Sequence, residues 1–280
     1  MGVTIVTDST ADLSLEMYEK FGIKMVPLTV YFGENSYKDW VDIDPVSFYQ
    51  KLQNSTELPR TSQPSPDQFL EVFKEELEKG NEIVSIHLSS KLSGTYNSAC
   101  IAKEMIGSDK IYPIDGRTAS IGTGILAIIA KRLADEGKSG KEIAEIIEKK
   151  KKAIRHLFAV ETLEYLKKGG RISPAKATLG NILNIKPILH IVDGIVEPFD
   201  KVRGMKRTVP RIIDEIKQKG LDLTRQLCGF SYAGSLDDAK EYVELIKKEL
   251  SPGELIVTQI GSVIGTYVGP GTVAFIFFEE

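Results

Sequence analysis

The first half of the chain alternates short apolar runs with longer stretches in which apolar residues recur every three or four positions. The short runs predict buried strands, and the periodic stretches predict amphipathic helices. The predicted strands of this half are Val3–Thr7, Met25–Phe32, Ile83–Leu88 and Lys110–Ile114. Its predicted helices are Leu15–Phe21, Pro45–Leu52, Pro66–Lys79, Ser93–Ile106, Ser120–Glu136 and Lys141–Arg155. Continuous apolar strands separated by helices indicate a mostly parallel sheet that is covered on both faces.

The second half has a pattern that is typical of antiparallel pairing. Val192 ends one apolar run and Ile195 begins the next, and the Asp193-Gly194 pair between them predicts a two-residue hairpin. The predicted strands are Lys186–Val192, Ile195–Lys201, Leu227–Tyr232, Glu254–Gln259 and Thr272–Phe278. Helices predicted at Met205–Lys219 and Leu236–Leu250 would cover one face of this sheet.

Together the two patterns predict an α/β protein of two domains. We expect residues 1–156 to form a parallel, Rossmann-like α/β domain. Residues 157–280 are then an α/β domain with a mostly antiparallel sheet. The boundary is placed near Arg155–Phe158, where a charged helix is predicted to end. No Gly/Ser-rich or Pro-rich linker separates the halves, so we expect the two domains to pack closely.

Composition and charge exclude several classes of protein. A chain of 280 residues can bury a substantial core, and its net charge of −3 argues against a general nucleic-acid surface. No apolar run approaches the ~18–20 residues of a membrane-spanning helix, so we expect no stable membrane insertion. Val3–Thr7 near the start of the given sequence predict a strand, so we expect no signal peptide there. Cys100 and Cys228 fall in a helix and a strand, so we expect reduced thiols in the cytoplasm.

Polar segments rich in hydroxyl groups lie close to the predicted strands of the first half. They are Asp8–Asp12, Arg60–Ser65, Ser89–Thr95 and Asp115–Thr118. The carboxyl ends of parallel strands meet at one edge of a sheet, and ligands bind at that edge. Ser93 and Gly94 lie where a helix is predicted to begin, a place that favours an anionic group. Thr61 and Ser62 add two hydroxyls, although for any one of these residues simple helix capping is the alternative interpretation.

The second half supplies two arginines next to glycines and one glycine-rich segment. Arg171 follows Gly169-Gly170 and Arg203 precedes Gly204, so the backbone can bend and let each guanidinium project. The segment from Gly261 to Gly271 contains four glycines, which predicts a close approach to a ligand or to another part of the chain.

The common catalytic and metal signatures are missing from the sequence. Neither a phosphate-binding G-x-x-x-x-G-K-[ST] loop nor a G-x-G-x-x-G after a strand is present. His87, His156 and His190 have no spacing that would let them share a metal ion. Ser93 is not part of a G-x-S-x-G turn. We therefore assign no catalytic residue and no metal site.

Several motifs together resemble the DegV family. In the first half they are Asp8-Ser9-x-x-Asp12-Leu13, Thr61-Ser62-Gln63-Pro64-Ser65, Leu88-Ser89-Ser90, Leu92-Ser93-Gly94-Thr95-Tyr96 and Asp115 with Ser120-x-Gly122-x-Gly124. In the second half they are Thr162 to Ile172, Lys186-Pro187-Ile188-Leu189 and the Gly265–Gly271 segment. The resemblance runs in order over nearly the whole chain.

This resemblance implies a long-chain fatty acid, such as palmitate, in a buried pocket, and no other cofactor. The family's contacts to the fatty acid carboxylate correspond to Thr61, Ser62, Ser93 and Gly94 in this chain. Some members of the family resemble the lipid-carrying subunit of a bacterial fatty acid kinase, which implies a separate kinase as a second partner. Arg171, Arg203 and Tyr267 would form the surface that meets this partner or a phosphate. Many members have His where this chain has Tyr267, so lipid binding is expected more firmly than phosphorylation.

Two other functions stay open at the level of sequence. One is a small-molecule kinase or transferase with a fold similar to the dihydroxyacetone kinases, against which the missing phosphate loop argues. The other is an acyl hydrolase that uses Ser93, for which the sequence offers no identifiable base. A lipid carrier without chemistry of its own remains the leading hypothesis, with a role in lipid transport or fatty acid metabolism.

Overall fold

The computed structural model describes residues 2–173, 175 and 184–279. The strands of this part are β1 Val3–Asp8, β2 Lys24–Val26, β3 Thr29–Phe32, β4 Asn35–Lys38, β5 Arg60–Ser62, β6 Glu82–His87, β7 Ile111–Asp115, β8 Ile154–Ala159, β9 Ile185–Val192, β10 Ile195–Arg203, β11 Leu227–Tyr232, β12 Glu254–Gln259 and β13 Val273–Phe278. The helices are α1 Leu15–Phe21, α2 Pro45–Gln53, α3 Pro66–Glu78, α4 Thr95–Ile106, α5 Ile121–Asp135, α6 Gly140–Ala153, α7 Glu164–Lys168, α8 Thr208–Gln218, α9 Leu236–Leu250 and α10 Ser262–Val268.

The first sheet is parallel and has the strand order β2-β1-β6-β7. Apolar side chains of α3 and α4 pack on one face, where Phe69 and Phe73 are fully buried. The other face is covered by α5 and α6, and Ile125 and Ile143 are buried there. The predicted parallel α/β arrangement of the first half is confirmed.

The second sheet has the order β10-β9-β8-β13-β11-β12. Its pairs are antiparallel except for β11 with β12, which are parallel. Helices α8 and α9 pack on its outer face, and its inner face is turned toward α5 and the first sheet. Asp193 and Gly194 have positive φ angles of 48° and 82°, as a two-residue hairpin requires. The predicted antiparallel character of this sheet is confirmed.

A small third sheet was not predicted from the sequence. The run Met25–Phe32 is divided into β2 and β3, and the third sheet has the antiparallel order β4-β3-β5. Strand β5 lies in a segment that was expected to be a loop. The prediction of one continuous strand over Met25–Phe32 is therefore wrong, because the chain leaves the first sheet at Pro27, which has no amide hydrogen to give to a ladder.

The proposed division between residues 156 and 157 falls inside β8. This strand belongs along its whole length to the second sheet, where Ile154 pairs with Phe278 and Ala159 pairs with Val273. Helix α6 ends at Ala153, so we propose a division before Ile154 instead.

Candidate functional site

A cavity lies between the inner face of the second sheet and the edge of the first sheet where its strands end. The space between its walls is about 700 Å³ when the opening to solvent is included. Most of its wall is aliphatic or aromatic. Representative wall residues are Leu28, Leu88, Leu166, Ile260, Val263 and Val268.

Alternate residues of the strands in the second sheet form the floor of the cavity, because successive side chains of a strand point to opposite faces. Ser231, Ala274 and Phe158 lie in register across β11, β13 and β8, and all three face the cavity. Phe158 and His156 share this face of β8, while Leu157 between them packs against the outer helices. The sheet therefore gives the cavity a continuous and mainly apolar floor.

Four half-buried polar side chains gather at one end of the cavity, which we call the mouth: Thr61, Ser93, Arg171 and Tyr267. The Tyr267 hydroxyl lies 2.7 Å from Thr61 Oγ1. The Arg171 guanidinium lies over the Tyr267 ring, 4.1 Å from its centroid, in a cation–π contact. Arg171 Nε donates to the carbonyl of Leu92 over 3.2 Å, which ties this group to the segment that carries Ser93.

Ser93 lies just before α4, and its hydroxyl has local partners. Ser93 Oγ is 2.9 Å from Thr95 Oγ1 and accepts a longer bond of 3.4 Å from the Thr95 amide. Gly94 occupies the N-cap position of α4 and supplies no side-chain cap. A Cβ atom on Gly94 would lie only 2.2 Å from Gln63 Oε1, so the Thr61 strand and the start of α4 approach each other closely here. Ser93 is thus not the N-cap residue that the alternative interpretation expected.

Glycine residues make room for the aromatic ring at the mouth. A Cβ atom on Gly169 would lie 2.3 Å from Tyr267 Cδ1. Gly170 has a φ of +72°, a conformation that favours glycine, and it turns the chain so that Arg171 reaches the ring. The expectation that these glycines allow Arg171 to project is consistent with this geometry.

Two buried aspartates hold the start of α10, the helix that carries Tyr267. Asp39 accepts hydrogen bonds from the amide and the hydroxyl of Ser262, the amide at 2.9 Å. Asp12 Oδ1 accepts from the amide of Gly261 at 2.9 Å. Burial raises the pKa of Asp39 to about 6 and raises that of Asp12 well above its ordinary value. These carboxyl groups therefore fix the helix and at the same time carry a cost of desolvation.

The Asp12 carboxyl group also ends a chain of hydroxyls that starts at the cavity wall. Ser120 Oγ donates to Asp12 Oδ2. Ser231 Oγ lies 3.2 Å from Ser120 Oγ, and it is the donor in this pair because the Ser120 proton is already used. Both serines line the cavity, and their protons point away from it. These two hydroxyls consequently leave no unpaired donor toward an apolar ligand.

His156 lies in the cavity wall and has one hydrogen-bond partner in the described part of the chain. Its Nδ1 is 3.2 Å from Thr118 Oγ1, and its ring packs edge-on against Phe158. Burial lowers the pKa of His156 to about 3, so the ring is neutral at physiological pH. His156 was expected from the sequence only to lack a metal-ligand spacing, although the period of two along β8 places it on the same face as Phe158.

Three of the predicted site residues, Ser62, Gly94 and Arg203, lie outside the cavity wall, and Gly94 is the direct neighbour of Ser93 at the start of α4. Ser62 is the next residue after Thr61 along β5, and its hydroxyl lies 3.3 Å from that of Tyr31. Arg203 is an exposed residue at the end of β10, paired with Ile185. No hydrogen bond or ring contact in the described residues joins Arg203 to Arg171 or Tyr267.

The described residues contain one Ser-His-Asp arrangement, and it is fully buried. Ser85 Oγ lies 2.6 Å from His87 Nε2, and His87 Nδ1 lies 2.9 Å from Asp8 Oδ2. All three residues have no exposed surface and none lines the cavity, so they are placed to support the first sheet. Among the described residues, no histidine is hydrogen-bonded to Ser93.

Neither a metal-binding cluster nor a membrane-spanning helix is present within the described ranges. No cluster of three or more His, Cys, Asp or Glu side chains is placed to bind a metal ion. None of the helices described here has the length and apolar character needed to cross a membrane.

A parallel α/β unit joined to a mixed sheet, with an apolar cavity between them and a polar mouth, defines a class of ligand-binding α/β proteins. The chain belongs to the DegV family: residues 2–280 match the family described as "Uncharacterised protein, DegV family". The expected family is thereby confirmed.

Individual relatives agree with this assignment over nearly their whole length. A DegV domain-containing protein of Caldanaerobacter subterraneus is 39% identical, covering 99% of each chain. A Thermus thermophilus structure described as fatty acid binding of a DegV family protein has a TM-score of 0.91 at 36% identity, covering 99% of each chain. The structure of DegV from Bacillus subtilis, described as a fatty acid binding protein, has a TM-score of 0.87 at 35% identity and covers all of both chains.

Proposed function

We propose that this protein binds one long-chain fatty acid, with the acyl chain in the cavity and the carboxylate at the mouth. The observation that carries the proposal is that the cavity has an apolar part and a polar end. Its wall is mainly apolar, whereas half-buried polar groups gather at one end. The DegV relatives described as fatty acid binding proteins support the same ligand.

The acyl chain supplies the greater part of the binding free energy. A C16 fatty acid has about 15 carbons beyond its carboxyl group, and burying them contributes on the order of 12 kcal/mol at roughly 0.8 kcal/mol per methylene. Association and ordering remove about 4–15 kcal/mol of this gross value. The result is binding that is tight enough to retain the lipid and weak enough to release it.

The hydroxyls of Thr61 and Ser93 would orient the carboxylate. When the Tyr267 hydroxyl donates to Thr61 Oγ1, the Thr61 proton is free for a ligand oxygen. When Thr95 donates to Ser93 Oγ, the Ser93 proton is free in the same way. The first amides of α4, next to Gly94, add the positive end of a helix dipole. An ionised carboxylate needs such partners because leaving it unpaired in a buried site is costly.

Ligand analysis of the purified protein tests this function. Denaturing mass spectrometry of the organic extract should detect about one fatty acid of roughly 14–18 carbons per chain, because burial of that many methylenes supplies the binding free energy. Delipidated protein should take up added palmitate. If the extract contains no lipid and palmitate does not bind in calorimetric titration, the proposal is wrong.

Substitutions at the mouth test the place of the carboxylate. Thr61→Ala and Ser93→Ala should each weaken palmitate binding about tenfold or more, because a hydrogen bond to a charged group contributes about 1.5–3 kcal/mol. Ser62→Ala is the matched control, since the Ser62 hydroxyl points to Tyr31 and lies outside the cavity wall. If all three substitutions lower the palmitate affinity equally, Thr61 and Ser93 do not bind the carboxylate.

We further propose that a separate kinase acts on the bound carboxylate, with Arg171, Tyr267 and Arg203 forming the surface that meets it. Arg171 uses Nε and Nη1 for bonds to Leu92 and Gly169, and Nη2 has no hydrogen bond to the described residues. That nitrogen is available for a phosphate oxygen. The test is ATP consumption by a bacterial fatty acid kinase in the presence of lipid-loaded protein, with Arg171→Lys and Arg203→Ala as variants. Unchanged rates in both variants would contradict this surface.

A further inference from the structure

Every hydroxyl group that lines the cavity has at least one hydrogen-bond partner among the described residues. Thr61 and Tyr267 pair with each other, and the partners of Ser93, Ser120, Ser231 and Thr272 are Thr95, Asp12, Ser120 and the Val268 carbonyl. Arg171 is held by two backbone carbonyls and by the Tyr267 ring. A plain acyl chain therefore meets no unpaired hydroxyl along this wall.

His156 is different from these groups. Its residue surface is only 5% exposed, and it faces the cavity on the same side of β8 as Phe158. Nδ1 is close to Thr118, while Nε2 has no hydrogen-bond partner among the described residues. His156 also borders a second cavity, which it shares with His190. When an apolar chain fills the first cavity, an unpaired ring nitrogen on its wall loses access to water, which is costly unless the chain itself offers a hydrogen-bond partner.

We propose that His156 is a specificity residue that binds an acyl chain bearing a hydroxyl group along its length. This inference rests on the proposed fatty-acid binding function. It extends the ligand class from plain acyl chains to acyl chains that carry a hydroxyl group. The hydroxyl would pair with Nε2, and the carboxylate would stay at the mouth with Thr61 and Ser93.

The chemistry of the ring selects a hydroxyl over other polar groups. If Thr118 donates to Nδ1, then Nε2 carries the proton and needs an acceptor. If Nδ1 donates to Thr118, then Nε2 is a bare acceptor and needs a donor. A hydroxyl satisfies both tautomers. Because burial keeps the ring neutral, it offers no charge partner to a second carboxylate, which excludes dicarboxylic acids as the favoured ligands.

The test is a titration of delipidated protein with stearate and with hydroxyoctadecanoic acids that carry the hydroxyl at successive carbons. The measured quantity is the ratio of the Kd of each hydroxy acid to the Kd of stearate. A substitution that weakens the binding of all acyl chains equally leaves this ratio unchanged. In the natural protein one position should have a markedly lower ratio than its neighbours. His156→Phe should raise that ratio about tenfold, which corresponds to about 1.4 kcal/mol.

His190→Phe is the matched control for this substitution. His190 lies on the neighbouring strand β9, its ring packs against Phe199, and it is not part of the cavity wall. The control variant should keep the low ratio of the natural protein.

Each outcome of the titration decides the inference. A single favoured position that disappears in His156→Phe, and persists in His190→Phe, supports it. A flat profile in the natural protein overturns it even if the His156 variant fails to fold, and so does a favoured position that survives in His156→Phe. In both of these cases stearate still binds and the proposed function stands. Failure of stearate and of every hydroxy acid to bind would overturn both.

Discussion

The contact between Thr61 and Tyr267 gives the sharpest test of how the mouth works. Tyr267→Phe removes only the hydroxyl that lies 2.7 Å from Thr61 Oγ1. The ring stays under the Arg171 guanidinium at 4.1 Å, so the cation–π contact is kept. If Tyr267 acts through Thr61, its hydroxyl orients the Thr61 proton toward the carboxylate and does not touch the ligand itself.

The size of the effect follows from the kind of hydrogen bond that is lost. A bond between two neutral hydroxyls contributes about 0.5–1.5 kcal/mol, so Tyr267→Phe should weaken palmitate binding about two- to twelvefold. Thr61→Val removes a bond to a charged group and should cost about 1.5–3 kcal/mol. In the double variant, Tyr267→Phe should add nothing to the loss caused by Thr61→Val, because its partner is already absent.

Calorimetric titration of delipidated protein with palmitate completes this double-mutant cycle. Tyr31→Phe is the matched control, because the Tyr31 hydroxyl makes a similar contact with Ser62 in the same small sheet, away from the cavity wall. The reasoning is refuted if Tyr267→Phe lowers the affinity equally in both backgrounds, or if Tyr31→Phe lowers it as much.

Three further predictions concern the groups around the mouth. Burial raises the pKa of Asp39 from 3.8 to about 6, so its contribution to stability falls as the pH rises through this range. The free energy of unfolding of Asp39→Asn should therefore rise by about 2 kcal/mol relative to that of the natural protein between roughly pH 4 and pH 7. Denaturant unfolding at both pH values measures this change, and an equal difference at both would contradict the assignment. Tyr267→His should increase kinase-dependent ATP consumption, since histidine can carry a positive charge. Palmitate affinity in titration should fall no further than in Tyr267→Phe, because both substitutions remove the same hydroxyl; full activity of the unaltered protein would argue against this. Gly169→Ala should displace the Tyr267 ring, which lies 2.3 Å from the new methyl position. The free energy of unfolding should fall by about 1–3 kcal/mol, and palmitate affinity should fall with it. Unchanged values of both quantities would show that the ring adapts.

The main elements of both halves could be predicted because their signals are local. The apolar runs of β1 and β6 and the periodic helices α3 and α6 carry their pattern within one segment. Strand β5 could not be found in this way. It consists of Arg60, Thr61 and Ser62, and its strand character comes from pairing with β3, which lies about thirty residues earlier.

The glycine-rich segment near the C-terminus was predicted to approach something closely, but its helix was not predicted. In the structure α10 spans Ser262–Val268, and its glycine faces α2. A Cβ atom on Gly265 would lie 2.6 Å from Phe48 and 2.8 Å from the Tyr49 hydroxyl. The density of glycine thus reports the packing of one segment on another, a relation that depends on residues more than 200 positions apart.

The candidate site also depends on contacts between residues that are far apart in sequence, and these could not be predicted. Hydroxyls at the ends of strands indicated Thr61 and Ser93, because the geometry of a parallel sheet is general. The partner of Thr61 could not be predicted, since Tyr267 is 206 residues away in sequence. His156 was missed because histidine drew attention as a metal ligand, and its significance depends on which face of β8 looks into the cavity.

The small third sheet explains how these distant parts form one mouth. Asp39 follows directly after β4 and binds the start of α10, while Thr61 lies on β5, and β3 pairs with both strands. Helix α10 spans seven residues, about 10 Å at 1.5 Å per residue, and is short and stiff. Its first residue is fixed by Asp39, so the position of Tyr267 near its last turn is set by the same sheet that positions Thr61. The alignment of the Tyr267 and Thr61 hydroxyls therefore depends on a buried carboxylate at the far end of the helix, and weakening that anchor should reduce ligand affinity without altering any residue at the mouth.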